Sequence, residues 1–394
     1  MPSPLLRHFT LDPAVTFLNH GSFGACPRPV QEAQQRERER LEAEPVRYLA
    51  RELEGRLDQV REELAAFLGA EPRDLAFVPN ATTAVNAVVR SLDLAPGHEL
   101  LALDQGYNAC LNVLRHAAAR SGARLVLAAV PFPLASEEEA VEAVLRAASP
   151  RTRLALVDHV ASPTGLVLPV ARIVRALEGR GVPVLVDGAH APGMVPLDLA
   201  SVGASYYAGN CHKWLCAPKG AGFLHVRREL QAAVRPAVIS HGANSPRADR
   251  SRFLVEFDWV GTTDPTAVLS IPAALRFMGS LLPGGWPEVM RRNRALALEA
   301  RALLASALGA APPAPDSMVG SLAALRLPDG TPAAPRSPLY QDALQDALLE
   351  RFGIEVPVVP WPAPPRRLLR ISAQLYNDLG DYQRLAAALG ELLG

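Results

Sequence analysis

The chain has 394 residues, 49% hydrophobic and 20% charged, with 40 basic residues balanced by 40 acidic ones. That length supports a sizeable core divided into two or three domains. The zero net charge removes the electrostatic case for nucleic acid or an anionic membrane as the principal partner.

The opening MPSPLLRHFT lacks the charged and apolar regions of a signal peptide, and no apolar run reaches bilayer length, so a soluble cytoplasmic protein is expected. NHGSFG (Asn19 to Gly24) reads as a polar, glycine-bearing loop. An amphipathic helix is predicted over 29–68, broken near Pro45, with RERER on its solvated face. Strand and helix signals then alternate. Strands are predicted at 75–78, 99–103, 124–130, 154–157, 184–186, 205–208 and 222–226. Helices are predicted to open near Asn80, Asn108 and Ser136 and after Pro169. This rhythm predicts an α/β fold with a mostly parallel sheet covered on both faces. Beyond 265 the pattern changes to Ala/Leu/Arg-rich helices at 265–282 and 286–309, a strand at 318–327, a helix at 338–352, strands near 354–359 and 367–371, and a last helix from Asp378. The predicted division is a large domain over 15–264 and a smaller α+β domain over 265–394, joined by 1–14. Prolines concentrated at 311–315, 328–338 and 357–365 mark loops in this last third.

Ligands of such sheets bind at the carboxyl ends of the strands, and the unusual polar residues fall there. Asn80, Ala81, Thr82 and Thr83 open a helix directly after a strand, which suits an anion such as phosphate; an ordinary N-cap is the competing reading. Tyr107 follows the next strand and could stack on a planar ligand. Asp158, His159, Ser162 and Thr164 follow a third. Asp187 ends VPVLVD, with His190 three residues on; a carboxylate there is costly unless paired. The chain has only two lysines, Lys213 and Lys219, against 38 arginines. Unlike guanidinium, a lysine amine can lose its proton and attack a carbonyl. Lys213 is flanked by Asn210 and His212, whereas Lys219 sits in a PKGAG turn. Arg370 closes an apolar strand and could clamp a carboxylate. Cys26, Cys110, Cys211 and Cys216 form no CxxC pair or zinc-ligand spacing, which fits a reduced compartment without metal.

Together these residues describe a pyridoxal phosphate site. The motifs LNHGSFG (18–24), PNATTAVN (79–86), GYNAC (106–110), DHVASPTGLVLPV (158–170), VLVDGAHAPG (184–193), YYAGNCHKWLCAPKGAGFL (206–224), WVGTTDP (259–265) and LLRISAQLYN (368–377) appear in order along nearly the whole chain. In these the sequence resembles the class V aminotransferase family of pyridoxal-phosphate-dependent enzymes, with the aspartate-aminotransferase-like fold (fold type I), and within it the isopenicillin N epimerase-like branch. The resemblance implies pyridoxal 5'-phosphate as cofactor and a small-molecule amino acid as substrate. Lys213 would form the internal aldimine and take the Cα proton to give a quinonoid, with Asp187 on the pyridine nitrogen, His190 near the phenolic oxygen and Tyr107 on the ring. Ala81, Thr82, Asn210 and His212 would hold the phosphate, with Ser162 also at the cofactor. Thr262 or Thr263 would reach the cofactor of a second subunit, which implies a homodimer. Arg370 would take the substrate carboxylate, bordered by Asn19, His20 and Gly21. Epimerisation, transamination and β-elimination all remain open outcomes, and His20, His241 and Tyr376 are candidates for a second acid. The chain has no cysteine after Cys216 and carries Ser162 where the family's desulfurases usually have Asn. Sulfur transfer to an acceptor cysteine is therefore not expected, while a direct C–S lyase is the alternative. A protein that keeps the fold without the chemistry is a weaker reading, because every required residue type is present.

Overall fold

The computed structural model describes residues 3–331 and 342–394. The seven strands predicted before residue 230 all form, and they make one sheet in the order Leu75–Val78, Gly222–Val226, Tyr206–Asn210, Val184–Gly188, Thr152–Asp158, Glu99–Leu103, Arg124–Ala128. All neighbours pair in parallel except Gly222–Val226, which runs antiparallel to both of its neighbours. Alternate residues point to opposite faces, and both faces are buried. Leu101, Leu103, Ala155, Val157, Val184 and Val186 join one core with helices Leu53–Leu68, Glu137–Ala147 and Val170–Glu178. Leu100, Ala102, Leu154, Leu156 and Leu185 join another with helices Ala81–Arg90, Asn108–Ser121 and Arg252–Asp258. Double-sided burial is why the strands read as unbroken apolar runs rather than alternating ones.

The predicted helix over 29–68 is interrupted, as Pro45 requires. Helix Arg28–Ala43 stops at Glu44, held at φ −153°, ψ 82°, because the residue before a proline is driven out of the helical region. The chain resumes at Pro45–Arg47, takes a π turn at Tyr48–Glu52 and continues as Leu53–Leu68. NHGSFG folds differently from the expected loop: His20–Phe23 closes one helical turn, ended by the Gly24 N–H on His20 O.

The last third holds a three-stranded antiparallel sheet, Val358–Pro360, Arg367–Ser372 and Leu322–Arg326. Helices Gly285–Ala307, Ala343–Phe352 and Leu379–Leu393 share its apolar core. The predicted strand at 318–327 begins late because Asp316–Met318 forms a 3-10 turn. The helix predicted over 338–352 is Ala343–Phe352, and its expected first positions, 338–341, lie outside the described residues, as do most of the prolines of 328–338. Asp378 opens the final helix with a capping box completed by Asp381. The apolar faces of Thr266–Leu269 and Ile271–Ser280 pack into the core of the seven-stranded sheet, through Ala267, Val268, Ile271, Ala274 and Leu275. The N-terminal segment lies against the later part of the chain: Ser3 Oγ donates to Leu375 O, and Phe9 packs edge-on against Tyr376. No single described helix is long and apolar enough to cross a membrane; Thr266–Ser280 and Gly285–Ala307 would be so only taken together, and they are bent by 70°.

Candidate functional site

The parallel strands place their last residues side by side. Asp187 lies in register with Asp158 on one neighbour and Ala208 on the other, and Asn210 ends the adjacent strand. Lys213 follows three residues later, so the carboxylates and the lysine share one edge of the sheet.

Lys213 is half-buried, with Nζ 3.1 Å from His190 Nε2. No carboxylate pairs with it among the described residues. Burial, and secondarily the Arg370 guanidinium, bring its pKa down from the usual lysine range to about 7. Its backbone is also fixed. The Lys213 carbonyl accepts from Cys216 N at 3.0 Å, in a turn that holds Cys216 at φ 59°, and from His20 Nε2 at 3.1 Å. Gly24 leans on the same segment: at φ +72° it comes so close that a Cβ there would stand 2.1 Å from His212 O. Lys219 Nζ donates to Gly24 O at 2.9 Å. The second lysine thus braces the loop that braces the first.

Asp187 is buried. Its Oδ1 accepts from Ala189 N at 3.0 Å and its Oδ2 from the Cys110 thiol at 3.2 Å. Burial and the adjoining Asp187 push that thiol far up. Cys110 was missed by sequence reasoning: only the fold reveals that a buried cysteine on helix Asn108–Ser121 reaches the strand-end carboxylate. Asp158, in register beside Asp187, accepts from Tyr107 N at 3.3 Å. Burial first, then Asp187, push the Asp158 carboxyl well above the usual carboxylate range, so one of the two acids stays neutral.

Arg370 does not close its strand but sits within Arg367–Ser372, two residues before the end, because Ile371 and Ser372 continue the pairing; it is buried, and its partners are neutral: Ser162 O at 2.5 Å, Ser162 Oγ at 3.3 Å and Ser22 Oγ at 2.9 Å. Its Nε is buried without a partner, and burial lowers its pKa to about 10. A desolvated guanidinium without a counter-ion is a strong anion receptor. Ser22 is a second residue that sequence reasoning missed. The single helical turn that replaces the expected loop points its hydroxyl at Arg370. A chain of hydrogen bonds backs it, from Ser22 Oγ to Asn19 Oδ1 at 2.5 Å and from Asn19 Nδ2 to Glu355 Oε1 at 3.0 Å.

At the start of helix Ala81–Arg90, Asn80 caps Thr83 N, and the Ala81 N–H is taken by Asn210 Oδ1 at 2.8 Å. The Thr82 N–H and hydroxyl keep no protein acceptor among the described hydrogen bonds, so the free donors there belong to Thr82. His212 is largely buried, with Nδ1 3.2 Å from Ala221 O. Tyr107 is exposed at the N-cap of its helix. Asn19, His20 and Gly21 are engaged inside the protein rather than left open: the Gly21 N–H donates to Ser372 Oγ at 3.0 Å, and His20 Nδ1 accepts from Tyr376 Oη at 2.8 Å while Nε2 serves Lys213 O. Burial lowers the His20 pKa to about 3, so this ring is a neutral brace. His241 is exposed. Thr262 and Thr263 stand exposed in the turn before helix Thr266–Leu269, and no described hydrogen bond ties them to the Lys213 cluster. No cluster of three or more His, Cys, Asp or Glu among the described residues is arranged to hold a metal.

These residues fit pyridoxal phosphate on their own chemistry. The group needs an unprotonated amine for its aldehyde, an acid for its ring nitrogen and donors for its phosphate, and its amino-acid partner needs a cationic clamp. The desolvated Lys213 amine, the Asp187 carboxyl without a cationic partner among the described residues, the open Thr82 donors and the unpartnered Arg370 Nε are groups of these kinds.

Comparison with known proteins agrees. The aminotransferase class-V family matches residues 19–313. The chain is 41% identical over 397 residues to the isopenicillin N epimerase of Amycolatopsis lactamdurans, covering 97% of this chain and 96% of the relative. It is 30% identical over 407 residues to a probable chloroplastic L-cysteine desulfhydrase of Arabidopsis thaliana, covering 97% and 84%. Its fold matches the cystine C–S lyase C-DES, solved with its product cysteine persulfide, at a TM-score of 0.78 and 23% identity over 96% of this chain and 97% of that one. With the fold, the strand-end constellation and these full-length similarities in agreement, the chain belongs to the class-V aminotransferase family of pyridoxal-phosphate enzymes.

Proposed function

We propose that this enzyme removes the Cα proton of a free amino acid with the Lys213 amine and returns a proton to the opposite face, an epimerisation like that for which its isopenicillin N epimerase relative is named. One observation carries the reading: a half-buried, desolvated lysine without a carboxylate partner among the described residues, 3.1 Å from His190 Nε2, in a site whose arginine has an unpartnered Nε. When bound, the cofactor supplies an electron sink that acidifies the Cα–H bond. Lys213 would hold it covalently, Asp187 would sit at its ring nitrogen, His190 at its phenolic oxygen and Tyr107 on its ring face. Thr82, Asn210 and His212 would hold its phosphate, with Ala81 positioned by Asn210 and Ser162 bridging to the substrate side. Arg370, oriented by Ser162 and Ser22, would clamp the substrate α-carboxylate and aim Cα at Lys213 Nζ. Asn19, His20 and Gly21 would shape this corner from behind Ser22. Thr262 and Thr263 would act on the site of a second copy, in a cytoplasmic homodimer built from a 15–264 large domain and a small one of 265–394 with 1–14.

A second reading is β-elimination at a C–S bond. It is favoured by the state of His20 and Tyr376, which bond to each other while His20 also holds the Lys213 carbonyl, so neither is free to protonate the far face of Cα. An elimination needs only the one lysine, and the desulfhydrase relative is named for such a reaction.

Incubating the holoenzyme with L- and D-amino acids in deuterated water tests both. Cα deuterium with inversion and no keto acid supports epimerisation. Pyruvate with released sulfide or persulfide supports the lyase. Aminated cofactor with keto acid, and neither of the others, overturns both.

The lysine also dictates how the cofactor loads. Only the neutral amine would react with the cofactor's aldehyde, and burial brings its pKa to about 7. Loading of cofactor-free protein is expected to slow below that pH and level off above it, about tenfold between pH 8 and pH 6. Stopped-flow absorbance reads this directly; a midpoint near the ordinary lysine value would show that the buried amine is not the one that reacts.

A further inference from the structure

The geometry points to Trp214 as the residue that fixes which nitrogen of His190 carries the proton, and thereby makes His190 a hydrogen-bond donor toward Lys213 and the cofactor. Trp214 follows Lys213 directly and is buried. Its indole N–H can only donate. It lies 3.3 Å from His190 Nδ1, so Nδ1 offers its lone pair. A neutral imidazole has one N–H, which must then be on Nε2. Nε2 lies 3.1 Å from Lys213 Nζ, and the amine there has to accept, which only an unprotonated amine can do.

Burial first, with the Arg370 guanidinium nearby, holds His190 well below the usual histidine range, so the neutral ring is the relevant one. The indole cannot turn away. It packs against the His20 ring at 4.8 Å between centroids and among Val160, Met194 and Leu322. The loop carrying His190 presses on its backbone through Gly193, where at φ +84° a Cβ would stand 2.7 Å from the Trp214 carbonyl.

His212, directly before the lysine in the chain, is set the opposite way. Its Nδ1 lies 3.2 Å from the Ala221 carbonyl, which can only accept, so its neutral ring carries the proton on Nδ1 and shows a lone pair on Nε2. The two histidines are thus opposite tautomers, His190 donating toward the lysine and His212 keeping its lone pair on Nε2.

Two arms test the assignment. Only the second rests on the cofactor reading proposed above. In the first, cofactor-free protein labelled with ¹⁵N-histidine is examined through two-bond ring correlations, with His190 assigned by its loss in His190→Gln. His190 is expected as the Nε2–H tautomer and His212 as the Nδ1–H tautomer. Trp214→Phe is expected to let His190 populate both forms. In the second, the visible absorbance of the holoenzyme is titrated. Trp214→Phe is expected to shift the proton-binding constant roughly 3–10-fold, and to shift it less than about twofold in a His190→Gln background, because a glutamine amide donates without choosing a tautomer. A wild-type His190 carrying its proton on Nδ1, or a Trp214→Phe shift that persists in the glutamine background, overturns the inference. If Trp214→Phe does not fold, the wild-type spectrum still decides. If the protein takes up no cofactor, the proposed function fails while the first arm stands independently.

Discussion

Lys213→Arg is expected to abolish borohydride-fixable cofactor and to lower turnover by at least about 10³-fold. Arginine keeps the length and the charge, but guanidinium does not release its proton and cannot attack an aldehyde. Burial adds a second effect. Lys213 is tolerated where it is because its amine can be neutral near pH 7. An arginine would carry a permanent charge into a desolvated space beside Arg370, so Lys213→Arg is also expected to lower the melting temperature. Lys213→Met, similar in length and neutral, separates the two effects. It should recover the stability and still show no covalent cofactor by mass spectrometry after reduction. Lys219→Arg is the internal control. Lys219 is exposed, and its hydrogen bond among the described residues is to the Gly24 carbonyl, which a guanidinium can also reach, so covalent loading should persist and activity should change by less than about threefold. Loss of covalent loading in Lys219→Arg, or its retention in Lys213→Met, would reverse the assignment of the two lysines.

The strands of the large sheet were legible in the sequence because burial on both faces leaves a plain signal, an apolar run closed by a polar residue: LLAL before Asp104, LALV before Asp158, VLV before Asp187. Those closing residues mark the carboxyl edge, which is why Asp187, His190, Asn210, His212 and Lys213 could be named together. What the sequence hid are contacts between segments far apart in the chain. Cys110 meets Asp187 across 77 positions, Ser22 meets Arg370 across 348, and His20 meets Tyr376 across 356. No local pattern encodes such pairs. NHGSFG illustrates the difference. Its polarity and two glycines fit a loop, and its position in the family motif fits the substrate side. Yet packing folds it into one helical turn that hides His20 and Gly21 and presents Ser22 instead.

Asp187→Asn is expected to lower the rate of Cα–H exchange by about 10³-fold, equivalent to about 4 kcal/mol of barrier, without altering the fold. The amide matches the carboxyl in shape. Its oxygen can keep the Ala189 N–H, and its nitrogen then faces the weakly accepting Cys110 sulfur, so the local bonds largely survive while the negative charge is gone. In a buried site that charge is what would keep a ring nitrogen protonated, and a neutral amide cannot replace it. The adjacent acid makes the prediction more specific. Asp158 is kept neutral by burial and, next, by Asp187 beside it. Removing the Asp187 charge takes away the second cause, so the Asp158 carboxyl should ionise more readily. Ionised, it would place a negative charge one strand away from the original. The residual activity of Asp187→Asn is therefore expected to rise with pH as Asp158 loses its proton, and the double variant Asp158→Asn/Asp187→Asn should be slower still and flat over the same range. Asp158→Asn alone, which replaces a group already neutral, should leave the exchange rate within about threefold of wild type. A rate in the double variant equal to that of Asp187→Asn, with the same pH profile, would show that the two strand-end acids are not exchanging one charge between them.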